Sequence, residues 1–139
     1  VVASGGNAGG QAATIVIRSL ALGEIGAGFA MRIVWKEART GIFLGLTLGI
    51  SIAAFISFIL PHFHPPAPAA FSFPKLSLAV ACAITLQVLS ATCLGAMLPI
   101  MARSFRLDPA VVSAPSLASI VDVSGMLIYF GTAAAILNL

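Results

Sequence analysis

Twenty-one consecutive residues, Thr40 to Leu60 (TGIFLGLTLGISIAAFISFIL), carry no charge. A helix of about 20 residues at 1.5 Å rise each crosses the ~30 Å hydrocarbon core of a bilayer, so this stretch is expected to span a membrane. Leu76 to Ala102 is a second uncharged stretch of 27 residues, enough to cross with tilt or a kink at Pro99. Ser113 to Leu139 is a third, interrupted only by Asp122. Val1 to Leu22 is apolar but glycine-rich at its start and holds Arg18; it is expected to be the remaining part of a spanning helix. The pattern predicts an all-α membrane protein. Its helical transmembrane bundle has four spans, the first incomplete, at about 1–23, 40–60, 76–102 and 113–138, within one domain covering 1–139.

Composition agrees. The chain is 60% hydrophobic and 8% charged, with a mean hydropathy of +1.11. Soluble domains are typically about 25% charged, so a water-soluble enzyme is excluded, and so is a disordered tail. The net charge is +3, but the basic residues sit between apolar runs and form no patch, which argues against nucleic acid. Arg32, Lys36 and Arg39 fall between the first two spans, Lys75 in the next connection, and Arg103 and Arg106 in the third. Loops rich in Lys and Arg stay cytoplasmic. The first and third connections are therefore expected inside, with the proline-rich loop and the C-terminus outside. The start, Val1 to Gly6, lacks a basic region, so no signal peptide is read there, and the chain is expected to begin inside a larger protein.

Asp122 is the residue that needs a reason. It lies well inside the last span, where an acidic group costs several kcal/mol (roughly) unless it faces water, a cation or a partner. A cation pathway is the default reading. The structural alternative is an ion pair with Arg18 or a protonated Asp bonded to a neighbouring Ser or Thr. Ala114, Ala118, Asp122 and Gly125 follow helical spacing and are expected to form one stripe of small residues beside the carboxylate. Pro115 removes the hydrogen bond to the Val111 carbonyl, leaving an acceptor free. Asp108-Pro109 reads as an N-cap and first helical residue; a vestibule carboxylate that attracts cations is the second reading.

Other polar positions are weaker signals. Gly5-Gly6-Asn7-Ala8-Gly9-Gly10-Gln11 places four glycines in a membrane segment, for close helix crossing or to offer Asn and Gln oxygens to a hydrated ion. Composition does not decide between the two. Cys82 and Cys93 are eleven positions apart, about 16 Å along a helix, too far for a disulfide, and read as small packers. His62 and His64 make a His-x-His pair on the proline-rich loop, read as solvated in preference to a metal site. Trp35 beside Lys36 reads as an interfacial anchor.

Two segments carry a resemblance. GGNAGGQAATIVIRSLALGEI looks like the motif of the MgtE magnesium transporter family, and LDPAVVSAPSLASIVDVSGMLIYF resembles that family's last helix. The two cover about a third of the chain, at opposite ends and in the right order. Eukaryotic solute-carrier magnesium transporters share this membrane core. The resemblance implies a five-helix domain that forms a homodimer in membrane lipid, with a cation pore at the subunit interface lined by the second and fifth helices. This chain would hold part of helix two and all of three to five, covalently linked in the full-length protein to cytoplasmic regulatory domains. The pore carboxylate carries over to Asp122, and the pore-facing backbone carbonyl to Ala118. The family's Asn before the proline is Ala114 here, a departure at the ion site, and Asn7 matches the Asn of the second helix. Gln11 belongs to the motif without an assigned role.

The expectation is therefore transport of Mg²⁺ through a dimeric pore, with Mn²⁺ and Co²⁺ as further candidate ions, in a multi-pass protein of the bacterial inner membrane. Pore-lining candidates are Asn7, Ala114, Asp108 and Gly125 beside the ion-site residues Asp122 and Ala118. Two rivals are a proton-coupled exchanger using Asp122 as a relay and a structural bundle in which Asp122 pairs with Arg18. No serine–histidine–aspartate set, paired catalytic carboxylates or HExxH is present, so no enzyme is expected.

Overall fold

Apolar runs with good helix formers at their edges become helices here, and the second and third extend past both ends of the uncharged stretch that announces them. In a computed structural model describing residues 1–24, 29–63 and 72–138, the chain forms α1 (Val2–Ala21), α2 (Ala30–Phe63), α3 (Phe73–Ser104) and α4 (Pro109–Leu137). No strand occurs among the described residues. The three later helices are long and apolar enough to cross a membrane. α1 is a helix of 20 residues, but Gly, Asn and Gln make it too polar to count with them.

α2 starts ten residues before the uncharged run. Arg32, Lys36 and Arg39, expected in a connection, lie on its first turns. Lys, Arg and Glu are strong helix formers, so charge marks where a helix leaves the bilayer and not where it stops. At 34 residues α2 is about 51 Å long, well beyond a hydrocarbon core. A single π turn, Phe55–Ile59, interrupts it shortly before Pro61. Trp35 is exposed on the same charged end.

Connections and caps follow local chemistry. α1 closes with Gly23 at φ +72°, the Glu24 amide reaching the Ser19 carbonyl at 3.1 Å. α3 closes in the same way, the Leu107 amide donating to the Ala102 carbonyl at 2.9 Å. Here Arg106 takes the left-handed position, φ +59°. α4 begins with Asp108, whose Oδ1 accepts from the Ala110 amide at 2.8 Å, and with Pro109 as its first residue. That is the capping role expected for this pair.

α3 is the centre of the bundle. α1 and α4 pack on it and on each other, while α2 packs on α3 and hardly touches the rest. The seams are made by small residues, as expected where lipid supplies no hydrophobic drive between helices. On α2, Gly41, Gly45 and Gly49 face Thr92 and Leu89, Thr85, and Ala81 of α3. Glu37 continues that stripe one turn earlier and is 5% exposed. On α1, Gly9 lies against the Ala91 carbonyl, and Gly95 of α3 against Gly9's own backbone. Ala13, Ala91, Leu117 and Val121 form the core shared by α1, α3 and α4.

Candidate ion site

The glycine-rich run of α1 divides by helical face. Gly5 and Gly9 are buried against α3, whereas Gly6 and Gly10 have nothing within 4 Å of where a Cβ would stand. Gly6, Asn7, Gly10, Gln11, Thr14 and Ile15 line an open groove of about 670 Å³. The close-crossing reading therefore holds for Gly5 and Gly9, while Gly6 and Gly10 lie on an open face that carries Asn7 and Gln11. Asn7 and Gln11 are exposed and polar at a depth where α1 packs on two membrane-spanning helices.

α4 divides in the same way. Ser113, Leu117, Val121 and Gly125 form its buried stripe. Ala114, Ala118 and Asp122 lie on the exposed side, so three of the four positions expected to share a face do so. Gly125 departs from them. It faces inward, where a Cβ would stand 2.7 Å from Gln87 Nε2 and 3.0 Å from a Val2 methyl. Three residues on from Asp122 is about 300° of turn, enough to carry Gly125 into the seam. Asp108 stands at the far end of α4, beside Ile17, Leu20, Ala21 and Arg103 around a crevice of about 300 Å³.

Gln87, which the sequence reading did not single out, fixes the height of these faces. It is fully buried in α3, and its Nε2 donates to the Val121 carbonyl at 2.9 Å. A Cβ on Gly5 would meet its Cγ at 2.7 Å. α1 near residue 5 and α4 near residue 121 therefore stand at one depth, which sets Asn7 and Asp122 level with each other. The available signal was a strongly polar residue inside an uncharged run. Gln87 Oε1 and Ser113 Oγ are buried without a partner among the described residues.

The same register bears on Arg18. Thirteen residues separate it from Gly5, about 20 Å along α1, so it is not level with Asp122. Among the described residues Asp122 makes no ion pair or side-chain hydrogen bond, and neither does Arg18. An intramembrane carboxylate in that state needs water, a cation or a second chain at its face. No three metal-ligating side chains (His, Cys, Asp, Glu) come together among the described residues. His62 is exposed at the end of α2; His64 and the loop reading of the His pair lie outside the described residues. Cys82 and Cys93 are half-buried free thiols on α3.

Comparison with known proteins decides the family. The MgtE family model, described as a divalent cation transporter, matches residues 1–132. The chain belongs to the MgtE family. It is 34% identical over 138 residues to the magnesium transporter MgtE of Thermus thermophilus, matching 99% of this chain and 28% of that protein. The MgtE of Bacillus subtilis is 31% identical over 133 residues, 96% of this chain and 27% of the relative. That of Enterococcus faecalis is 29% identical over the same length. The chain thus spans little more than a quarter of the length of these MgtE relatives.

Proposed function

We propose that this chain is the ion-conducting part of a magnesium transporter, in which two copies bring their Asp122 carboxylates to a shared pore. The observation that carries the reading is the state of Asp122: mid-helix, exposed, and without an ion pair or side-chain hydrogen bond among the described residues. Lipid is not a tolerable neighbour for it, and membership of the MgtE family supplies the cargo. Mg²⁺ prefers six oxygens at about 2.0–2.1 Å and sheds water reluctantly. A site with one carboxylate per chain suits the hydrated ion, which is held through its waters. Two carboxylates across a two-fold axis provide the charge a divalent ion needs and repel each other when it leaves.

The Ala118 carbonyl, one turn before Asp122 on the exposed side of α4, is the further oxygen proposed for the site, and Ala114 stands a turn earlier with a methyl in place of a polar group. Asn7 and Gln11, which line the open groove of α1, are the polar groups proposed to face the same pathway. Mn²⁺ and Co²⁺ are the competing ions to test, since both accept the same oxygen ligands. The protein sits in a bacterial cytoplasmic membrane with the basic ends of α2 and α3 inside and its C-terminus outside, following the distribution of Lys and Arg. Further cytoplasmic regulatory domains, which the family resemblance implies, are proposed for the full-length protein; the greater length of the relatives leaves room for them.

The test is Mg²⁺ flux into liposomes carrying the full-length protein. Asp122→Ala and Asp122→Asn are expected to abolish flux while expression and thermal midpoint stay near wild type. Normal flux in either variant removes Asp122 from the mechanism.

A further inference from the structure

We propose that Gln87 is a positioning residue for the ion site, setting the rotation and height of α4 where it carries Asp122; this rests on the reading of Asp122 above. Gln87 is 0% exposed, at the junction of three helices. Its Nε2 donates to the carbonyl of Val121, the residue immediately before Asp122, and Ser124 Oγ reaches the same carbonyl at 3.3 Å. Glycines on the other two helices make room for the amide. A Cβ on Gly5 would stand 2.7 Å from Gln87 Cγ, and one on Gly125 2.7 Å from Nε2. An apolar side chain of equal volume would fill this space without burying a polar oxygen, yet Gln87 Oε1 has no partner among the described residues. What an amide adds is direction.

Apolar contact between smooth helices tolerates sliding and rotation, whereas a hydrogen bond to one chosen carbonyl does not. A slip of α4 by one residue turns it about 100° and moves it about 1.5 Å, which would swing Asp122 off its exposed face. Functional side chains keep a productive geometry when a buried partner locks the element that bears them. Among the described residues Gln87 makes no hydrogen bond to Asp122's carboxylate; it acts through the backbone next to it.

The test compares full-length wild type, Gln87→Met, Gly125→Ala and Asp122→Ala. Mg²⁺ flux into liposomes is measured against concentration, and the thermal midpoint in Mg²⁺-free detergent. Gln87→Met keeps the volume and removes the donor; the half-saturating Mg²⁺ concentration is expected to rise about tenfold, the scale of lost outer-shell support, with the midpoint within a few degrees of wild type. Gly125→Ala leaves Gln87 in the chain but places a methyl against its amide, and is expected to shift half-saturation in the same direction. If Gln87→Met does not fold, Gln87→Asn, whose amide falls short by one methylene, is read in its place. Unchanged half-saturation in these variants overturns the proposal, as does a flux loss that tracks the midpoint alone. Wild-type flux in Asp122→Ala sinks the ion-site reading instead. An inactive Asp122→Ala beside an unaltered Gln87→Met sinks only the positioning role.

Discussion

Glycine at neighbouring positions of α1 does opposite things, because one residue is 100° of helix. Gly9 approaches the Ala91 carbonyl so closely that a Cβ would stand 2.7 Å from it, and that oxygen belongs to a helix backbone that cannot yield. Gly10 faces open space. Gly9→Ala is therefore expected to destabilise the bundle by about 1–3 kcal/mol despite alanine's better helix propensity. Gly10→Ala is expected to leave stability unchanged or raise it by up to about 1 kcal/mol. Thermal midpoints in detergent check the pair, and a drop of equal size in both would contradict the division of faces. The four glycines were legible in the sequence as needing a reason. Which reason applied to which glycine was not, since it depends on the rotation of α1 against α3.

At the scale of the element, the ends of the helices carry definite predictions. Asp108 caps α4 through one oxygen, so Asp108→Asn is expected to keep the midpoint and Asp108→Ala to cost about 1 kcal/mol. A vestibule role would show as lowered flux in Asp108→Asn, where the cap survives and the charge is gone. Arg106 occupies a left-handed position at the close of α3, which costs a non-glycine residue roughly 1 kcal/mol or more. Arg106→Gly is accordingly expected to raise the thermal midpoint. The cap at Asp108-Pro109 was readable because its chemistry is local. α2 begins ten residues before the uncharged run, because that run reports the bilayer and says little about helical hydrogen bonding beyond it. The stripe Gly41, Gly45, Gly49 had a readable four-residue spacing, but only packing shows that it faces α3 and draws Glu37 in with it.

At the scale of the whole molecule, two faces differ in what they can meet. Phe43, Ile50 and Phe58 of α2 are exposed and apolar, suited to lipid, whereas Ala114, Ala118 and Asp122 of α4 combine small side chains with a charge. On the proposed reading, Ala118→Cys cross-links two copies in membranes under mild oxidation, and Phe43→Cys does not. Cross-linking at Phe43 alone would place the contact on the wrong helix.

The sequence by itself determined that this chain carries helices long and apolar enough to cross a membrane, and that one carboxylate, Asp122, interrupts the last apolar run. Those properties follow from runs of side chains and their hydration, which are local sums. Only the tertiary structure decided that Gly125 turns inward, that Arg18 lies a long way from Asp122, and that Gln87 holds the turn before that carboxylate. Each of these depends on how far one helix is rotated and slid against another. Rotation and sliding are set by contacts between residues distant in the chain, so no single stretch of sequence encodes them.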